Sequence, residues 1–178
     1  VLWGDHGYHI GEKNRFAKHS LWEETSRVPL MIRAPGGVKG QVTQAPVSLL
    51  DLYPTLTDLA GLPGNSANEG SSLKPLIAGG SEPSGRVAIT SYGYGNHAIR
   101  DERYRYILFR DGSEELYDHQ EDPNEWRNLA NNAEFASVKQ RMRQHVPAKA
   151  APWSPVHSGR PPNSYFEALS REFGQPER

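Results

Sequence analysis

Cysteine is missing from all 178 residues. Its absence excludes a disulfide framework and any thiolate metal centre, and it leaves the redox compartment open. Long apolar runs are missing too: none is long enough to span a bilayer, so no membrane span is expected. Charge of one sign is not in excess, with 20 Lys+Arg against 21 Asp+Glu and a formal net charge of -1. Without a global basic field, nucleic acid is not an expected partner. An initiating Met and a visible signal peptide are also lacking, and the first residues read as the inside of a buried strand. A parallel-sheet strand without neighbours would leave its backbone groups unpaired. The expectation is that these residues are the C-terminal part of a longer protein.

Hydrophobic residues make up 36% of the chain, enough for a core, while 17 Gly and 14 Pro point to much loop. Residues 1–3 read as the end of a buried strand, and residues 28–33 as a second buried strand closed by Ala34-Pro35-Gly36-Gly37. Between them, Ser20 with Glu23 three residues later resembles a capping box and predicts a short helix. Residues 47–61 form the clearest helix, with an apolar stripe of Leu52, Leu56, Leu59 and Ala60. Ser48 or Asp51 is its cap, Pro54 falls in the first turn, and Gly61 sits where a C-terminal glycine belongs. A further helical turn is expected around Leu73, Leu76 and Ile77.

After Gly80 the pattern changes. Residues 86–91, 97–100, 103–109 and 115–118 read as consecutive short strands, which imply an antiparallel meander. Asp111-Gly112 and Asp122-Pro123-Asn124-Glu125 are turns. Residues 131–146 are expected to form an amphipathic helix packed on the meander through Phe135, Val138 and Met142. From Pro147 a Pro-rich tail is expected, with a helical turn at residues 165–173. The division is therefore 1–80, an α/β part; 81–146, a small antiparallel subdomain with helix; and 147–178, a tail.

The chemistry concentrates near the start, in Gly4-Asp5-His6-Gly7 and in Lys18. Glycines on both sides let the backbone turn tightly around a carboxylate and an imidazole. A cation follows within reach of an anion that a metal would hold. This reads as half of an anion-hydrolysing metal site. Asp5 is a hard oxygen ligand suited to calcium or magnesium, or else an Asx turn or helix cap. His6 by its chemistry suits zinc, copper or iron better, or is a structural histidine under the loop. Lys18 neutralises an anion or is a solvated lysine. His9, His19 and His97 line a pocket or act as general acid, or are plain polar residues. Tyr92-Gly93-Tyr94-Gly95-Asn96, beside His97, suits stacking on a sugar ring or is a turn with core tyrosines. Arg100, Arg103 and Arg105 suit a substrate carboxylate or another anionic group, or form a solvated face. Glu12, Arg15 and Arg27 are candidates for salt bridges around the site.

The ordered series Gly4-Asp5-His6-Gly7-Tyr8-His9-Ile10-Gly11-Glu12, Ala17-Lys18-His19-Ser20 and Arg27-Val28-Pro29-Leu30 resembles the C-terminal metal and sulfate segment of sulfatases. The iduronate-2-sulfatase-like branch is the most similar. Leu50-Asp51-Leu52-Tyr53-Pro54-Thr55-Leu56, Leu59-Ala60-Gly61, Arg103-Tyr104-Arg105-Tyr106 and Glu115-Leu116-Tyr117-Asp118 with Asp122-Pro123 and Glu125 continue the likeness. The resemblance implies an α/β alkaline-phosphatase-like core followed by a small antiparallel sheet with a packed helix. It implies calcium, with Asp5 and His6 as ligands, and Lys18 as the catalytic, sulfate-contacting lysine. Substrate contacts from His19, His97 and Arg100 fit the same picture. It also implies a formylglycine nucleophile made from a Cys or Ser in a Cys/Ser-x-Pro-x-Arg motif. That motif is absent here, so this chain alone is expected to be inactive. The expected partner is a sulfated carbohydrate or small sulfate ester, and the expected location periplasmic or secreted. A phosphodiesterase or phosphonate monoester hydrolase of the same superfamily and a non-catalytic carbohydrate-binding fragment are the alternatives.

Overall fold

The computed structural model describes residues 1–80 and 85–150. Residues 1–147 cluster as one compact unit. The tail beyond residue 150, including the helical turn expected at 165–173, lies outside the described residues.

Strand β1 (Leu2–Trp3) pairs with β2 (Leu30–Met31), Leu2 opposite Met31 and Trp3 opposite Leu30. The pairing is antiparallel, and Leu2, Trp3 and Met31 are 60%, 50% and 57% exposed. Both findings correct the expectation of buried parallel strands. The cause lies in the intervening backbone. Hydrogen bonds run from the N–H of Gly4 to the carbonyl of Pro29 (3.1 Å), Gly7 to Thr25 (3.0 Å), His9 to Ala17 (2.9 Å) and Gly11 to Arg15 (2.9 Å). These nested rungs fold the segment into an irregular hairpin, whose two ends must meet antiparallel. A parallel return needs a crossover of a dozen or more residues, usually helical. The helix here, α1 (Glu23–Ser26), is only 4 residues long. Gly7 is required at its rung, because a Cβ would lie 1.8 Å from the carbonyl oxygen of Glu24.

Ser20 does not cap α1, which corrects the capping-box reading. Trp22 holds the cap position without a side-chain bond. The Ser20 hydroxyl instead lies 2.9 Å from His9 Nε2 and 2.7 Å from Thr25 Oγ1. Glu23 is free to turn toward the later sheet.

The expected long helix begins as a 3-10 turn (Leu49–Asp51) and continues as α2 (Leu52–Leu59). Ser48 is its cap. The Ser48 hydroxyl accepts from the N–H of Leu50 (3.2 Å), and the Asp51 carboxylate accepts from the N–H of Ser48 (2.7 Å). Buried Asp51 also accepts from the N–H of Ser71 (2.8 Å) and from Arg86 (2.5 Å). It thereby ties the helix start to two later segments. Thr55 is the buried residue of α2, while Leu56 on the apolar stripe is 48% exposed. A one-turn helix, α3 (Lys74–Ile77), follows around the predicted Leu76 and Ile77.

The meander forms as read: β3 (Ala88–Ser91), β4 (His97–Arg100), β5 (Tyr104–Leu108) and β6 (Glu114–Asp118) make one sheet, each antiparallel to the next. Asn132 accepts from the N–H of Glu134 (3.1 Å) and starts a 3-10 turn that leads into α4 (Ala136–Arg143). Met142 of α4 is fully buried against Ile99, Tyr106, Leu116 and Ala130, with Phe135 and Val138 beside it. Burying each such aliphatic side chain is worth about 1.5–3 kcal/mol over leaving it exposed. The other sheet face carries Ala98, Ile107 and Tyr117, packed on Leu21 of the hairpin. Register puts Arg100 opposite Arg105, and Arg105 opposite Tyr117. Two arginines therefore share the face that meets the hairpin, and this face supports the site.

Candidate active site

The hairpin rungs assemble the predicted residues. Because His9 pairs with Ala17, the next residue, Lys18, returns alongside the Asp5-His6 turn. Its ammonium lies 2.9 Å from His6 Nε2. His6 Nδ1 lies 2.8 Å from the Gly7 carbonyl. A carbonyl can only accept, so Nδ1 carries the proton and Nε2 keeps its lone pair. The backbone N–H of His6 donates to Asp5 Oδ1 (3.0 Å), which fixes that carboxylate at the turn.

Asp5 Oδ2 stands 3.6 Å from His6 Nε2, and the Asp5 side chain is 83% exposed. A carboxylate oxygen and an imidazole nitrogen this close, both with lone pairs, fit one shared divalent cation. Two donors do not complete a coordination shell. Among the described residues, the cluster of three ligand-type side chains is elsewhere: Glu23, His119 and Glu125. Its charge is already met by Arg105, which makes it a salt-bridge network.

That network underlies the hairpin. Arg105 is 2% exposed and Glu125 fully buried. Arg105 donates to the Leu21 carbonyl (3.0 Å) and to the Glu23 carboxylate. Its Nε lies 2.7 Å from Glu125 Oε1, an ion pair out of line for a hydrogen bond. Glu125 Oε2 accepts from the N–H of Glu23 (3.0 Å), and His119 Nε2 is 2.9 Å from Oε1. Burial alone would raise the Glu23 carboxyl, but the Arg105 charge and hydrogen bond, backed by Arg100, hold it below its ordinary value. Lys13 completes the set. Its ammonium donates to the Glu125 carbonyl and lies over the rings of Tyr117 (4.7 Å) and Trp22 (5.4 Å).

A cleft of about 1040 Å³ opens at this centre, and Asp5, His6, Lys18, His19, Tyr92 and Arg100 are among its lining. The His19 ring stacks on Tyr92, with centroids 5.4 Å apart. Arg100 reaches the cleft from β4 with Nε 3.5 Å from Glu23, and burial lowers its pKa against the pull of that carboxylate. His97 is not among the lining residues. It is 5% exposed, and its Nδ1 lies 2.7 Å from the Ser91 hydroxyl across the strand pair. His9 is fully buried behind the loop. Burial lowers the pKa of both.

Arg103 pairs with Asp118 (2.6 Å), and Arg105 is buried rather than solvated. Arg27 lies 3.7 Å from Glu23, Arg15 sits over Trp22 at 5.3 Å, and Glu12 accepts from the N–H of Ile10 (2.8 Å). Lys13, His119 and Glu125 escaped the sequence reading of the site. The available signal was the Arg-Tyr alternation of β5, whose arginine face needs buried acidic partners.

The family model for the C-terminal region of N-sulphoglucosamine sulphohydrolase matches residues 11–151. A sulfatase of Formosa agariphila is 45% identical over 153 residues, covering 86% of this chain and 30% of that protein. The solved structure of a protein in complex with its substrate D-glucosamine-2-N,6-O-disulfate superposes with a TM-score of 0.66 at 29% identity, covering 81% of this chain and 32% of the other. A phosphonate monoester hydrolase from Silicibacter pomeroyi gives 0.70 at 27% identity, covering 80% and 32%. The chain thus spans roughly a third of the length of these proteins. Its fold class is the C-terminal part of the α/β alkaline-phosphatase-like sulfatase core plus a small antiparallel sheet with a packed helix. The chain belongs to the sulfatase family and matches that family's C-terminal region.

Proposed function

We propose that this chain supplies half of a sulfate-ester hydrolysing site to a longer enzyme, with sulfated sugars as the substrate class. The observation that carries the reading is the joining of Asp5, His6 and Lys18 at one cleft. Lys18 keeps donors beyond the one directed at His6, and these suit sulfuryl oxygens. An ammonium fixed there neutralises charge on the ester in the ground state and as the bond to the leaving oxygen breaks. Asp5 and His6 would hold calcium, which would polarise the sulfuryl oxygens; the nucleophile, a formylglycine, would come from outside this chain. His19, stacked on Tyr92 at the cleft, suits a sugar face and proton delivery to the leaving oxygen. Arg100 suits a second anionic group of the substrate. The iduronate-2-sulfatase-like placement and a periplasmic or secreted location belong to the same proposal. Support for sugar substrates comes from the related structure holding glucosamine disulfate.

The phosphonate monoester hydrolase neighbour favours a second reading, since both esters are tetrahedral anions. The complete enzyme decides between them when given a sulfate monoester and a phosphonate monoester side by side. The proposal expects the higher kcat/KM on the sulfate ester; a higher value on the phosphonate ester overturns it.

A further inference from the structure

We propose that Glu125 is a positioning residue for Lys18, gripping the hairpin on both sides of that lysine. The role assigned to Lys18 rests on the sulfate-ester reading, but the grip itself does not.

Glu125 makes two contacts to one loop with two different groups. Its backbone carbonyl accepts from the Lys13 ammonium, and its carboxylate accepts from the backbone N–H of Glu23. Lys18 lies midway between Lys13 and Glu23 in sequence. One buried residue therefore holds the returning arm of the hairpin on both sides of the candidate sulfate contact. Arg105 and His119 hold the same carboxylate from β5 and the turn after β6, so the grip is anchored in the sheet.

Backbone conformation points the same way. Among the described residues, the non-glycine residues with positive φ are Lys13 (54°), Asn14 (55°) and Glu125 (57°). Left-handed backbone is readily adopted by Asn but is unfavourable for Lys and Glu, where it persists because surroundings impose it. Lys13 and Glu125 meet at a contact between loop and turn, and Asn14 adjoins Lys13. A buried acid that served packing alone would need neither the twisted turn nor the twisted loop.

The test is a double-mutant cycle in the complete sulfatase carrying this segment, read as kcat and KM on a sulfate ester. Glu125→Gln keeps the shape but removes the charge and sets an amide NH2 group against a donor, either the Glu23 N–H or the Arg105–His119 pair, and so breaks one side of the grip. Alone it lowers kcat by on the order of tenfold to a hundredfold, as a misplaced catalytic group does. In a Lys18→Ala background the same change costs less than about twofold, because no ammonium remains to be misplaced. Equal losses in both backgrounds, or none in either, overturn the proposal. If Glu125→Gln does not fold, Lys13→Met cuts the other contact and must show the same dependence on background. If the wild type does not hydrolyse sulfate esters, the functional reading falls and the grip is judged by NMR. The His6 ring-nitrogen shift that Lys18→Ala changes must then move the same way in Glu125→Gln, and an unmoved shift overturns the proposal.

Discussion

The Lys18 ammonium lies 2.9 Å from Nε2 of His6, across a hairpin closed by the His9 to Ala17 rung. The contact joins the two chemistries of the site. The single lone pair of His6 Nε2 accepts from Lys18 here, so a cation bound there would take it in place of that hydrogen bond and release the Lys18 ammonium toward an anion. An ammonium beside a metal ligand is favourable when an anion bridges the two, because the anion screens one cation from the other. The pair is therefore arranged for a ligand with several negative oxygens.

Asp5 and His6 are the proposed ligands of a calcium ion, so Asp5→Ala in the complete enzyme is expected to lower bound calcium and to reduce turnover of a sulfate ester. Metal analysis of the purified variant checks the first, and a chelator should reduce wild-type turnover reversibly. Full metal content in Asp5→Ala would remove Asp5 from the ligand set.

Arg105 is the cation between two buried carboxylates. Arg105→Met removes the buried cation that Glu23 and Glu125 share, leaving Arg100 and Arg27 near the one and His119 beside the other. Loss of about 3–5 kcal/mol of folding stability is expected, as for removal of one partner of a buried pair. Denaturant unfolding of the variant against wild type measures it. A change below about 1 kcal/mol would mean that the pair behaves as an exposed one.

Stability should fall with acid in a window set by two histidines. Burial lowers the pKa of His9, with Glu24 opposing and Arg15 assisting, and burial lowers that of His97. The unfolded chain therefore takes up protons first as the pH drops below the ordinary value of 6.5. The contribution is complete above that value and is lost as the pH falls through the lowered folded-state values. Glu23 and Asp118, both held below their ordinary values, add a further loss at lower pH. Unfolding measured between neutral and mildly acidic pH should show the slope, and His9→Gln with His97→Gln should flatten it. An unchanged slope in the double variant would assign the effect to other groups.

The meander and α4 were legible from their side chains. Tyr104, Tyr106, Ile107 and Leu108 form a β-prone aromatic and aliphatic run bounded by turn residues, and Phe135, Val138 and Met142 recur at helical spacing. The direction of the β1–β2 pair was not legible, since each strand has 2 residues and backbone rungs inside the loop decide it. Asp5, His6 and Lys18 could be singled out because residue type and turn glycines stand together in sequence, and the hairpin brings the three side by side. Arg105 was ambiguous: alternation of Arg with Tyr describes a solvated face equally well. Its acidic partners, Glu23 and Glu125, are distant in sequence, and Glu125 hides in a turn. His97 looked like pocket lining from its glycine-rich neighbourhood, but strand register aligns it with Ser91, where their side chains pair.

The central claim is that Lys18, beside Asp5 and His6, acts on a sulfate ester. Its most direct measurement is kcat for sulfate release by the complete enzyme, wild type against Lys18→Ala, with folding checked by melting. The account predicts a loss on the order of a hundredfold to a thousandfold, as for removal of a charge-stabilising donor. Unchanged sulfate release in a folded Lys18→Ala variant would contradict it.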